Sequence, residues 1–170
     1  MRWFVIGLAV VISIFNPHKV VGAELQLTVS LPRLNVAEYH SPYVAAWIED
    51  DARKITQIAV WYDTKLANNK GQEWLKDLRQ WWRKGGRALN MPVDGLSGAT
   101  KGPGQHTIQA QLSAALATLP AGEYRIMVEA AREVGGRELL QLPIKLPLTK
   151  SSFPLEVAGK AEIELIRLHF

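Results

Sequence analysis

Apolar residues recur at every second position along most of this chain, and a period of two confines a sequence to β-strands with one face buried and one face wet. Leu25, Leu27, Val29 and Leu31 alternate with Glu24, Gln26, Thr28 and Ser30. The same alternation runs through His106, Ile108, Ala110 and Leu112, through Tyr124, Ile126, Val128 and Ala130, and through Leu140, Leu142, Ile144 and Leu146. Pro143 lacks an amide donor, which marks the last of these as an edge or irregular strand. Segments 43–48 and 55–62 are apolar at both parities, as central strands covered on both faces are. Near the C terminus Ala161, Ile163 and Leu165 give way to Ile166, Leu168 and Phe170 on the opposite parity, so a bulge or bend is expected near Leu165. Gly135-Gly136 predicts a hairpin, and Pro120-Ala121-Gly122 a turn.

One segment departs from this period. Between Gln72 and Lys84, Trp74, Leu75, Leu78, Trp81 and Trp82 recur at helical spacing, with Lys76, Asp77, Arg79, Gln80 and Arg83 opposite. The pattern predicts an amphipathic helix over 72–84, stopped by Gly85 and Gly86. Its tryptophans are expected to pack against a sheet. The whole predicts a mainly β protein: an immunoglobulin- or fibronectin-like antiparallel sandwich of seven or eight strands, with this one helix inserted, forming a single domain over residues 24–170. Residues 145–170 are expected to add a C-terminal strand or extension.

The first 23 residues read differently. Arg2, an apolar run from Trp3 to Phe15 and a small-residue site at Val21-Gly22-Ala23 form a secretory signal peptide, so a periplasmic location is expected. The run falls short of the roughly 20 residues that cross a bilayer, so a cleaved, soluble domain is expected, with an uncleaved anchor as the alternative. The chain has no cysteine, which excludes disulfides, iron–sulfur ligation and thioether haem attachment. Without Arg2 and Lys19 the formal net charge drops from +4 to about +2. The basic residues are scattered, so a nucleic-acid partner is not expected. His40 and His169 have no partner at ligand spacing, and no metal site is expected.

The loop from Val93 to Thr100 reads Val-Asp-Gly-Leu-Ser-Gly-Ala-Thr. Gly95 and Gly98 allow tight turns, and Gly98 and Ala99 leave the neighbouring Thr100 hydroxyl unobstructed. The pattern Asp-x-x-Ser-Gly-Ala-Thr resembles the acceptor motif on which bacterial flavin transferases build threonyl-FMN. Five fixed residues of ordinary abundance recur by accident in on the order of one in ten thousand chains of this length. The resemblance implies Thr100 as the attachment point of a covalent FMN, with Asp94, Ser97, Gly98 and Ala99 as the recognition signature. Lys101, with Arg83, Lys84 and Arg87, is positioned in sequence to offset the phosphate, and His106 to donate to the phosphate or ring. Trp82 is the tryptophan nearest in sequence to the loop and is the expected stacking partner. Lone basic and histidine side chains beside a loop are more often simply solvated, and a Gly/Ser turn between strands serves the same composition.

A wider resemblance follows the order of several segments. Tyr43-Val44-Ala45-Ala46-Trp47-Ile48-Glu49-Asp50, Trp61-Tyr62, Trp74-Leu75, Leu78, Trp81-Trp82-Arg83, the Ser-Gly-Ala-Thr loop, Pro120 to Tyr124 and Glu129 to Glu133 together resemble the predicted periplasmic family called domain of unknown function 2271. That resemblance implies an exported one-domain β-sandwich, often encoded near flavin transferases and membrane redox proteins with transmembrane helices, which makes a flavin transferase and such a membrane redox protein the expected partners. It departs at Val134, where the family often has His after Arg-Glu. Arg132 and Glu133 read either as a structural ion pair or as flavin contacts, the former being the plainer reading. The function expected is extracytosolic electron transfer by a bound flavin, as a carrier rather than an enzyme with its own substrate. The alternative is a cofactor-free periplasmic module for binding or assembly. A flavin carrier would be yellow and the alternative colourless.

Overall fold

The computed structural model describes residues 24–170; the expected signal peptide lies outside the described residues. Strand β1 (Gln26–Leu31) buries Leu27, Val29 and Leu31 completely or nearly so. It sits inside a four-stranded antiparallel sheet of order β5-β1-β9-β8, with β5 at Gly104–Ile108, β8 at Leu155–Ala158 and β9 at Leu165–His169. Its second face is also covered: Thr28 and Ser30 are buried, and the Thr28 hydroxyl is hydrogen-bonded to His169 Nε2 at 3.0 Å.

The second sheet has the order β4-β3-β2-β6-β7, with β2 at Tyr43–Asp50, β3 at Ile55–Tyr62, β4 at Ser97–Ala99, β6 at Gly122–Ala131 and β7 at Arg137–Leu146. Every pairing in it is antiparallel except β3 with β4. The inner face carries Val44, Ala46 and Ile48 of β2, Ile58 and Trp61 of β3, the Tyr124, Ile126, Val128 and Ala130 set of β6, and Leu140, Leu142 and Ile144 of β7, all packed on the first sheet. The sandwich is as expected, and so is the edge position of β7 with its Pro143. The β6–β7 hairpin turns through Val134, at φ 51°.

Both parities of β2 and β3 are apolar because the five-stranded sheet has a second core on its outer face. Ala45 and Trp47 of β2 and Val60 and Tyr62 of β3 pack there against Leu75, Leu78, Trp81 and Leu96. The amphipathic segment that supplies three of those residues differs in form from the expected helix over 72–84. It is 3₁₀ over Ala67–Asp77, itself kinked where Asn68 and Asn69 take φ 56°, followed by a short α-helix, α1 (Arg79–Lys84), with Leu78 between them at φ −75° and ψ 70°. The break has a cause. The carboxylate of Glu129, on β6 and wholly buried, accepts hydrogen bonds from the amides of Gln80 and Trp81 at 2.9 to 3.1 Å, restarting the helix there.

Two further segments correct the period-two reading. Ala110 and Leu112 do not continue the strand of His106 and Ile108; residues Ala110–Ala117 form α2, whose Leu112 and Ala115 close the inner core. Four alanines in eight residues favour helix strongly enough to override a two-residue alternation. The expected bend near Leu165 begins earlier. Gly159 and Glu164 are joined backbone to backbone at 3.0 Å, so Ile163 is buried from a turn and only Ile166 and Leu168 from β9.

Candidate functional site

Residues Val93 to Thr100 approach the sheet through a turn and then join it. The Ser97 hydroxyl accepts a hydrogen bond from the Val93 amide at 2.9 Å, the Ser97 amide donates to the Val93 carbonyl at 2.9 Å, and Gly95 takes φ 70°. Asp94 and Gly95 are exposed at the tip. Beyond the turn β4 runs parallel to the end of β3, pairing Ser97 with Val60, Gly98 with Trp61 and Ala99 with Tyr62. Gly98 is required by packing rather than by backbone shape, since a Cβ there would stand 3.0 Å from Trp61 Cδ1. Ala99 is exposed.

Thr100 follows directly. Its amide donates to the Tyr62 carbonyl at 3.1 Å, and among the described residues its hydroxyl has no hydrogen-bond partner. Half-buried, it lines a cleft of about 290 Å³ with Tyr39, Tyr43, Asp63, Leu66, Trp74 and Arg132 among its walls. Burial, above all, pushes the Tyr39 and Tyr43 hydroxyls above their ordinary value of 10.0, so both are neutral phenols at physiological pH. For Tyr39 the Arg132 charge acts against that rise. Tyr43 also donates to the Gly71 carbonyl at 2.9 Å, and Gly71 packs so tightly that a Cβ would fall 1.8 Å from the Asp63 carbonyl oxygen. The segment that carries Trp74 is thereby fixed to β2 and to the end of β3.

The charges of the cleft are predominantly negative. Asp63, Asp77 and Glu133 line it. Arg132 is held by Glu162 in a buried two-point pair at 2.9 and 3.2 Å, and Glu162 also accepts from the Gly136 amide at 2.7 Å. The structural ion pair expected at Arg132 is therefore present, with Glu162 rather than Glu133 as its partner. His40 lies 3.6 Å from Glu133.

The other expected contacts are not at this cleft. Lys101 and His106 line a separate groove with Trp61, Ser97 and Gly98, between the two edge strands β4 and β5. Lys101 Nζ stands 5.7 Å from the Trp61 ring, and His106 contacts the same ring edge-on at 5.9 Å while its Nε2 is hydrogen-bonded to the Gly102 carbonyl. Trp82 packs half-buried beside Trp81 against the outer core and does not line the cleft. Lys84 is paired with Glu49, Arg83 donates to the Arg79 carbonyl, and neither these nor Arg87 lines the cleft.

The tryptophan that lines the cleft beside Thr100 is Trp74, which the sequence did not single out, and not Trp82. A helical projection puts Trp74, Trp81 and Trp82 on one stripe, whereas the 3₁₀ geometry and the break at Leu78 leave Trp74 with 44% of its surface exposed and bury Trp81. Tyr39 and Asp63 carried no local signal, since only the fold brings them to Thr100. A family model described as "Predicted periplasmic protein (DUF2271)" matches residues 24–165. No curated protein and no solved structure matches the chain. The periplasmic location expected from the leader agrees with that description, and among the described residues no helix is long and apolar enough to cross a membrane.

Proposed function

We propose, for a chain that belongs to the DUF2271 family of predicted periplasmic proteins, that Thr100 is esterified to FMN and that the domain serves as an extracytosolic electron carrier. The observation that carries this reading is the placement of Thr100: last residue of the Asp-x-x-Ser-Gly-Ala-Thr pattern, beside an exposed Ala99, with a free hydroxyl at the wall of an aromatic cleft.

The residues present suit the group. Sites for small molecules span about 300–1,000 Å³ and are lined mainly by apolar and aromatic side chains with a few polar groups. The cleft, at about 290 Å³, lies just below that range and sets Tyr39, Tyr43, Leu66 and Trp74 among charged side chains, room for a flat ring system with its chain left outside. When bound, the flavin supplies one- and two-electron transfer, while the protein supplies position, exclusion of water and electrostatic tuning.

Attachment needs a partner transferase acting with FAD and a divalent metal. The Thr100 oxygen bonds to the phosphorus on the FMN side of the FAD diphosphate, the bond from that phosphorus to the bridging oxygen breaks, and AMP leaves with the hydroxyl proton. What this chain does is present the acceptor. Main-chain bonds to β3 hold Thr100 at one height on the sheet edge, and small neighbours keep the approach open. A covalent link then keeps the cofactor at roughly the millimolar local concentration of a short tether, outside the compartment that makes it. Reduction and reoxidation call for a membrane redox protein as partner.

Co-expression with a flavin transferase and export tests the reading. Intact mass should show one added FMN in the wild type and none in Thr100→Ala. A wild-type chain left unmodified while a control acceptor is loaded would overturn it, and the colourless binding module would then be the better account.

A further inference from the structure

We infer that the cleft beside Thr100 is the seat of the isoalloxazine ring and that Trp74 is the wall on which the ring stacks, an inference that rests on the threonyl-FMN reading above. Trp74 keeps much of its aromatic surface exposed, with the Lys76 ammonium 5.9 Å from the ring centroid and mobile enough to be displaced by a stacking ring. It exposes 44% of its surface where Trp81, from the same segment, exposes none. Leu66, exposed by 43%, lines the same cleft. Apolar surface left in water forgoes the stabilisation of burial, and a flat aromatic ligand covering Trp74 would recover it.

The support behind that face is rigid. The 67–77 segment is tied to the sheet by the Tyr43 hydroxyl on Gly71 at 2.9 Å, and to the loop before Thr100 by the Gln72 side-chain amide on the Met91 carbonyl at 2.9 Å. The backbone that carries the indole therefore has little freedom left to lose when a ring stacks on it.

Charge decides which part of FMN enters. Asp63, Asp77 and Glu133 line the cleft, and the Arg132 guanidinium is committed to Glu162. An anionic phosphate is disfavoured inside, whereas an uncharged tricyclic ring is not. The tether imposes the same order: Thr100 is itself part of the wall, so the phosphate stays at that wall and the far end of the molecule reaches across the cleft. Trp82 lies against the outer core and takes no part.

The experiment compares wild type, Trp74→Ala, Trp74→Phe and Trp82→Ala, each exported with a flavin transferase and each shown by intact mass to carry one FMN. A stacked indole quenches flavin emission. The flavin should therefore brighten several-fold in Trp74→Ala and in Trp74→Phe, and stay at the wild-type level in Trp82→Ala. If Trp74→Ala loads poorly, Trp74→Phe carries the comparison. Equal emission from all the loaded chains overturns the stacking inference and leaves the ester standing; a wild type without FMN overturns the reading on which the inference rests.

Discussion

The amide of Thr100 donates to the carbonyl of Tyr62 across 3.1 Å, so Thr100 prolongs the parallel pairing of β4 with β3 rather than hanging from a free loop. Tyr62 in turn meets Tyr43 edge-on at 6.3 Å, and Tyr43 holds the segment that bears Trp74. One chain of contacts thus connects Thr100, the proposed point of modification, to the segment that bears Trp74.

Gly98 is the weak point of that arrangement. A Cβ there would stand 3.0 Å from the Trp61 ring, and a branched side chain has to move either β4 or the indole. Gly98→Val should cost about 1–3 kcal/mol in denaturant unfolding, the usual range for overpacking. It should also reduce FMN loading relative to wild type. A variant of unchanged stability would show that β4 is free to slide.

Glu129 is predicted to matter more than an exposed charge would. It is wholly buried, accepts from the Gln80 and Trp81 amides, and is paired with Arg137 at 2.9 Å. In Glu129→Ala the two amides lose their acceptor while the partly exposed Arg137 turns to water. The expected loss is about 1.5–3 kcal/mol, that of hydrogen bonds to a charged group. Far-UV circular dichroism with urea titration measures it.

How much of this was legible follows from what each residue depends on. Alternation along Tyr124 to Ala130 and Leu140 to Ile144 depends on one sheet face alone, and it placed both strands correctly. The double-sided apolarity of β2 and β3 announced two cores without showing what the second one contained. The break at Leu78 depends on Glu129, about 50 residues away in sequence, and the exposure of Trp74 depends on that break; no local pattern holds either fact. The loop motif singled out Thr100 directly, while Tyr39, Asp63 and Arg132 reach it only through the fold.

Glu138 gives the fold an acid-sensitive contact. Burial would raise its carboxyl, but the amides of Ile163, Lys160 and Ala161 donate to the charged form and hold it below its ordinary value of 4.5. A folded value below the unfolded one stabilises the protein above the unfolded value, and that contribution is lost as pH falls through the folded one. Glu138→Gln should therefore lower stability at neutral pH, by about 1–3 kcal/mol for the lost charged acceptor. The gap from wild type should close in acid. A gap that stays constant with pH would contradict this.

Asp63 should tune the bound ring. Reduction adds electron density, and a carboxylate in the wall of the cleft opposes it. In the loaded chain Asp63→Asn should raise the reduction potential, by an amount equivalent to about 1–2 kcal/mol for one nearby charge at a partly exposed site. A spectroelectrochemical titration reads the shift. An unchanged or lowered potential would place the ring elsewhere.

Intact mass of the exported chain, produced with and without a flavin transferase, bears most directly on the whole account. One FMN on the wild type and on Thr100→Ser, present only with the transferase and absent from Thr100→Val, is the predicted result. An unmodified wild type beside a fully loaded control acceptor, or an FMN that persists in Thr100→Val, would contradict it.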